Sequence, residues 1–356
     1  MNCWLPGWSN DVICRLKEAS KVIIFHHSPC PDGDVSAWIV TRALEKFTSC
    51  KIIPTGHGNI HLAAINAFPD KNTDSIYIFV DIFPPLKTIK ILLNQCSQIL
   101  IIDHHDTAVR IRDSPEAEQL LVEENKIHIF LDMDRAGCQM CWDFFHHDNV
   151  PLSGGISPPV GASPPPVGAS PPNNTSRPWF IDFIGERDLW HMDYPNIRPV
   201  FNAIKYGDYL QPAGFDHLMT LPNESSMIPI GIGMQRVIDS MISEMYPKFG
   251  LLVVNNKKYN AWFIECTVAS LISETGNYYL SKPFSNGIKP DLVALWNYNV
   301  LTKTLTVSMR GSEDKINLAA ICEDIAKVHG GSGGGHKNAA AVSVPGIHID
   351  ELFTPL

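Results

Sequence analysis

The sequence predicts an α/β protein in which an N-terminal parallel sheet, covered by helices on both faces, is followed by a smaller C-terminal α+β domain. Two observations carry that prediction. In the first part of the chain the apolar runs VIIF (Val22 to Phe25), IYIFV (Ile76 to Val80) and ILII (Ile99 to Ile102) are continuous rather than alternating, the pattern of strands buried on both faces. From Gly250 onward the pattern changes to strands joined by turns.

Helical patterns lie between the first runs. DVSAWIVTRALEKF opens on an aspartate and carries apolar residues at helical spacing, and PPLKTIKILLNQC opens on prolines suited to a first turn. Strand, helix, strand in this order predicts crossover connections and a layered α/β fold. IHIFLD (Ile127 to Asp132) reads as a further strand, RAGCQMCWDFFHH as a further helix, and RPWFIDFIGERDLW as a helix ending in an acidic turn. A helical region around Gln235 to Met245 follows. LLVVNNKKYNAWFIEC then reads as a hairpin over Asn255 and Asn256, and DLVALWNYNVLTKTLTVSMRGS as a second one. The helix pattern INLAAICEDIAKVH leads through GGSGGGHKNAAAVSV into a last strand.

These patterns divide the 356 residues into a domain over 1–215, a linking helical region over 216–249 and a second domain over 250–356. Within the first, residues 151–177 hold the tandem repeat SPPVGASPPPVGASPP, whose prolines favour extended polyproline II and whose apolar content is too low for a core. It reads as an inserted spacer rather than a proline-rich ligand for a partner.

A composition of 45% hydrophobic and 18% charged residues is that of a soluble globular protein, and no apolar run is long enough to span a bilayer. The N-terminus lacks a basic region followed by an apolar core, which predicts a cytoplasmic protein with free thiols. Cys138 and Cys141 form the one close cysteine pair, and with no second pair to complete a zinc site they read as core residues. The balance of 37 acidic against 28 basic residues, a formal net charge of −9, argues against a broad basic surface gripping long nucleic acid and leaves short anionic substrates. A homodimer is compatible with the sequence.

The chemistry sits where the apolar runs end. The first empties into HHSPCPDGD, with His26, His27, Asp32 and Asp34; the second into Asp81; the third into Asp103, His104 and His105. In an open parallel sheet, ligands bind beyond the carboxyl ends of the strands, so these groups should converge. Converging aspartates repel one another and take up protons unless counter-charge is supplied, and a pair of divalent metal ions supplies it. Mixed carboxylate and imidazole ligands suit Mn²⁺ first, then Mg²⁺ or Fe²⁺. Such a pair activates a water near neutral pH, and phosphoester hydrolysis is its natural use.

These residues carry a resemblance to the DHH phosphoesterase superfamily. HSPCPDGDVSAW resembles its first motif, VDIFPP its second and IIDHHDTA its third, while ERDLW matches the fourth acidic position; GGSGGGHKNAA resembles the GGGH signature of the DHH-associated C-terminal domain. The resemblance implies RecJ-like or nano-RNase-like architecture, with the active site in a cleft between the two domains. It further implies one metal on His27, Asp32 and Asp81 and a second on Asp34, Asp81, His104 and Asp188, with Asp81 shared. Asp103 would orient a histidine and His105 would sit near the phosphate. The first motif has one residue more between histidine and aspartate than many members show, which leaves His26 and His27 both open, His27 being favoured.

In the second domain the resemblance makes Arg310 a phosphate contact and His336 a donor beside Gly333, Gly334 and Gly335, whose backbone would approach a phosphate closely. The implied activity is hydrolysis of short oligonucleotides or nucleotides by a two-metal-activated hydroxide. Phosphoadenosine-phosphate phosphatase, cyclic-dinucleotide phosphodiesterase and a catalytically silent nucleotide-binding regulator remain alternatives.

If the repeat is a spacer, deleting Ser157 to Pro172 leaves melting temperature and activity nearly unchanged, because closing a shorter loop alters little. Differential scanning calorimetry of the deletion variant checks this; loss of folding would show that the segment packs against a domain.

Overall fold

The computed structural model describes residues 6–56, 58–67, 74–122, 126–146, 177–192, 194–312 and 316–355. The proline-rich repeat lies outside the described residues. The chain divides into two compact units, Met1–Gln235 and Arg236–Leu356. The division falls inside helix Met227–Ser243, within the region expected to link the domains.

The first unit is built on five parallel strands, β1 (Lys21–His27), β2 (Ser49–Thr55), β3 (Ser75–Val80), β4 (Gln98–Asp103) and β5 (Ile127–Leu131), in the order β2-β1-β3-β4-β5. The continuous apolar runs follow from this placement. Val22 and Ile24 of β1, Ile76, Ile78 and Val80 of β3, and Leu100 and Ile102 of β4 enter one core. The residues between them, including Ile23, Phe25, Tyr77, Phe79, Ile99 and Ile101, enter a second core on the other face. Helices Pro31–Leu44, Gly137–Phe145 and Trp179–Asp188 cover the first face; helices Ile60–Ile65 and Leu86–Leu92 cover the second. Phe25 stacks on Phe79 at 4.8 Å between ring centres, which locks β1 to β3 below their carboxyl ends.

Strand β2 is absent from the predicted set. It lies at the sheet edge and four of its seven positions are exposed, so it carries no continuous apolar run. Its presence outside β1 makes the chain wind in opposite directions from the gap between β1 and β3, the place where doubly wound sheets form their ligand crevice.

The second unit holds seven strands: β6 (Lys248–Val254), β7 (Lys257–Glu265), β8 (Leu292–Asn299), β9 (Thr304–Gly311), β10 (Ser332–Gly335), β11 (Ala339–Pro345) and β12 (Phe353–Pro355). Their order is β10-β11-β9-β8-β7-β6-β12, antiparallel except for the β7–β8 pair. Both predicted hairpins are present. Asn255 and Asn256 have φ of 51° and 63°, the left-handed pair that a two-residue turn between β6 and β7 requires.

GGSGGGH is part of the sheet rather than a free loop, since β10 pairs antiparallel with β11 along Ser332 to Gly335. Three of its glycines, Gly331, Gly333 and Gly335, answer to packing. A Cβ at Gly333 would stand 2.3 Å from the Cys322 carbonyl oxygen on helix Leu318–His329, and Gly335 has φ of +136°. Gly334 meets nothing within 4 Å.

No helix among the described residues is long and apolar enough to cross a membrane. The eight described cysteines are free, and Cys138 and Cys141 are fully buried.

Gly333→Ala therefore forces β10 off helix Leu318–His329 and destabilises the protein by about 1–3 kcal/mol, whereas Gly334→Ala stays within about 0.5 kcal/mol of the parent. Urea unfolding of the two variants side by side measures both.

Candidate metal centre

Strand β1 delivers His26 and His27 to opposite faces, as successive residues of a strand must go. His27 Nδ1 lies 3.4 Å from Asp81 Oδ2. His26 turns away from that group: its Nδ1 lies 3.3 Å from Asp34 Oδ1 and 3.2 Å from the His27 carbonyl oxygen. Helix Pro31–Leu44 starts directly after, and its first turn carries Asp32 and Asp34 at the positive end of the helix dipole. Gly33 permits this tight entry, because a Cβ there would lie 2.1 Å from the His27 carbonyl oxygen.

Asp81 follows the last residue of β3 and has φ of 57°, the left-handed region that aspartate tolerates better than most residues. Its N–H donates to the Ile102 carbonyl of β4 at 2.9 Å, holding the turn in place. At the end of β4, one oxygen of the fully buried Asp103 accepts from the backbone N–H groups of His104 and His105 at 2.7 and 3.2 Å, and lies 2.6 Å from His105 Nδ1. Asp103 thereby sets the orientation of the His105 ring.

The groups meet at His104 Nε2. It lies 3.2 Å from Asp81 Oδ1, 3.4 Å from Asp188 Oδ2 and 3.7 Å from Asp32 Oδ2. Two sets of donor atoms fall within 4.8 Å of one another: His27, Asp81 and His105, and Asp32, Asp81 and His104. Asp81 belongs to both sets. The grouping differs in detail from the one the resemblance implies, since Asp32 stands with His104 rather than His27, and Asp34 faces His26.

Charge explains the protonation this geometry imposes. Burial alone would lower the His104 pKa, but the hydrogen bond to Asp81 and the charges of Asp188, Asp81 and Asp32 raise it to about 10. Burial, with the charges of Asp81 and Asp188, pushes Asp32 up to about 7, and burial with the Asp81 charge pushes Asp34 up to about 6. Burial opposes ionisation of Asp81 too, yet its contacts with His104 and His27 hold it well below the usual carboxylate range. One imidazolium thus serves several carboxylates. Asp103 Oδ2 is buried and accepts no hydrogen bond among the described residues, and Asp81 Oδ2 is buried with His27 Nδ1 at 3.4 Å. Imidazole nitrogens, carboxylate oxygens and surplus buried acceptors around one point fit a divalent cation.

The sequence reading missed the support of Asp32. Its two oxygens accept the backbone N–H groups of Gly137, at 2.8 Å, and Cys138, at 2.7 Å, at the start of helix Gly137–Phe145. Charge-assisted bonds of this kind contribute about 1.5–3 kcal/mol each. Gly137 is required there, as a Cβ would stand 2.8 Å from Asp32 Oδ2 and 3.2 Å from Asp81 Cβ. The available signal was a helix start, Ala136-Gly137, whose N-cap alanine has no side-chain acceptor for the N–H groups that follow it.

Arg310 lies on β9 in the second unit. Its guanidinium donates to Ser273 Oγ at 3.0 Å and to its own neighbour's carbonyl at 2.9 Å, and its stem packs under Gly276, where a Cβ would stand 2.6 Å from Arg310 Cγ. The His336 backbone N–H donates to the Ala339 carbonyl at 2.8 Å, closing the β10–β11 turn.

Comparison with known proteins agrees with this architecture. Residues 284–354 match the DHHA1 domain family. Among solved structures, RecJ from Thermus thermophilus in complex with Mn²⁺ is 12% identical and superposes over 96% of this chain and 53% of that one, with a TM-score of 0.50. The chain thus spans about half the length of that protein. CDC45 from Entamoeba histolytica is 10% identical over 95% of each chain with a TM-score of 0.49. An exopolyphosphatase-related protein from Bacteroides fragilis is 13% identical over 98% of this chain and 94% of that one with a TM-score of 0.46. A search of curated proteins returns no match. The chain is thus similar in fold to RecJ, and the stretch that matches the DHHA1 domain family lies within its C-terminal unit.

Two variants test the centre. Mn²⁺ at a hundredfold excess over its Kd should raise unfolding free energy by about 2.7 kcal/mol in the parent protein. Asp81→Asn keeps the shape and tolerates the left-handed backbone, so it should fold normally while losing most of that increment. Gly137→Ala, which drives a methyl group against Asp32, should reduce it as well. Thermal melts with and without MnCl₂ read all three; an undiminished increment in Asp81→Asn would sink the site.

Proposed function

We propose that this protein is a metal-dependent phosphoester hydrolase acting on short oligonucleotides or nucleotides. The observation that carries the reading is the gathering of Asp32, Asp81, His104 and Asp188 around one buried point beyond the strand ends, with Asp81 common to both donor sets. The net charge of −9 favours short substrates over long strands, whose binding leans on counterion release from a basic surface.

In this proposal His27, Asp32, Asp81, His104 and Asp188 hold a pair of divalent ions, with Mn²⁺ preferred, and Asp34 joins them by turning from His26. The ions, when bound, supply Lewis acidity and an activated water. The chain's own residues do the rest. Asp103 fixes the His105 ring through Nδ1, which leaves the other ring nitrogen to exchange a proton with, or donate to, a phosphate oxygen. In the second unit Arg310 offers the planar, forked donor set suited to a phosphate, and at Gly334, two residues before His336, a side chain would meet open space.

The test is a screen of purified protein with MnCl₂ against short RNA, short DNA, cyclic dinucleotides and phosphoadenosine phosphate. Hydrolysis is expected, fastest on short oligonucleotides, and abolished by Asp81→Asn. Arg310→Ala should raise KM by about 1.5–3 kcal/mol in binding terms, the value of one charge-assisted hydrogen-bonding group, with metal content unchanged. A protein that binds Mn²⁺ but cleaves none of the four classes would overturn hydrolysis in favour of a binding role.

A further inference from the structure

The structure assigns Gln139 as a positioning residue that couples the placement of Asp32 to that of Asp188. The inference rests on the metal-centre reading and adds to it a residue that touches neither metal nor substrate.

The two carboxylates come from different helices, residues 31–44 and 179–188, yet both must reach His104 Nε2. Asp32 is held to the N-terminus of helix Gly137–Phe145 by the Gly137 and Cys138 N–H groups, so wherever that helix start moves, Asp32 follows. Gln139 is the side chain that ties this helix start to the helix of Asp188. It is 2% exposed. Its Oε1 accepts the Ala136 N–H at 3.1 Å, pinning the first turn from within, and its Nε2 donates to Asp182 Oδ1 at 3.3 Å, across to the other helix.

Packing fixes the same joint. Gly185, one helical turn before Asp188, has no side chain where the glutamine lies, and a Cβ there would stand 2.5 Å from Gln139 Cδ. Asp182 is in turn held by Arg177 Nε at 2.7 Å, and Arg177 Nη1 reaches Asp143 on helix Gly137–Phe145 at 2.8 Å, where Arg135 also donates at 2.8 Å. The two helices are thereby tied by two links that meet at Asp182, one through Arg177 to Asp143 and one through the Gln139 amide to the first turn that holds Asp32. An amide is needed because one end must accept and the other donate. A carboxylate at position 139 would set a second negative charge against Asp182, and an apolar chain would leave the Ala136 N–H and Asp182 Oδ1 each one partner short.

Supporting groups behind metal ligands typically set metal affinity by a factor of about 10–100. Gln139→Met, close in volume and unable to make either bond, should weaken Mn²⁺ binding by about tenfold or more. A buried glutamine at the far end of β4 gives the control: Gln98→Met should lower thermal stability without changing Mn²⁺ affinity. Isothermal titration calorimetry with MnCl₂ on the full chain reads affinity, and melts in EDTA read stability. Activity of Gln139→Met should return at high Mn²⁺, as a purely structural lesion would not allow. Gly185→Ala, which pushes on the same contact from the other helix, should repeat the loss, and Gln139→Glu serves the comparison should the methionine variant not fold. Equal Mn²⁺ affinity in the parent and in whichever of these variants fold would overturn the inference. A parent protein that binds no Mn²⁺ would instead overturn the metal centre itself.

Discussion

The structure is organised around the cost of gathering carboxylates in one dry place. Asp32 and Asp81 are almost fully buried and, with Asp188, face the same imidazole nitrogen. Such a cluster is repulsive and poorly solvated, and side chains on mobile loops would splay apart. The two buried aspartates are therefore fixed by something other than their neighbours in the cluster. Asp81 sits in a left-handed turn pinned to β4, and Asp32 on two backbone N–H groups of a separate helix.

That requirement accounts for features which otherwise look unconnected. Gly33 and Gly137 lack side chains because backbone and carboxylate come within van der Waals reach of the space a Cβ would take. The Arg135, Asp143, Arg177 and Asp182 network lies away from the cluster, yet it holds together the two helices on which the cluster's support depends. The packed core below supplies the rigidity, since β1, β3 and β4 are buried on both faces and end at one level. Binding groups mounted on such elements are placed more accurately than groups on loops.

The second unit follows a different logic. Its sheet is antiparallel apart from one pair, alternates buried and half-buried positions along β9, and sends Arg310 to the face covered by helix Ile272–Leu280, opposite the core under helix Leu318–His329. The glycine-rich strand serves first to let β10 lie against that second helix, and Gly334 is the position where a side chain would meet open space.

Much of this was legible in the sequence. Doubly buried strands must be apolar at every position, so β1, β3 and β4 could be read directly, and the ligand-type residues stood where those runs stop. Paired asparagines marked the β6–β7 turn because few other residues accept two successive left-handed conformations. What the sequence did not determine depends on contacts between distant segments. Edge strand β2 has one wet face and no continuous run; the choice of His27 over His26 for the Asp81 side rests on the phase of the strand; and the pairing of Asp32 with His104 is decided by a helix start 105 residues away along the chain. Local periodicity reports which face of an element is buried, but a backbone N–H carries no residue-type signature, so its partner is settled only when the helices pack.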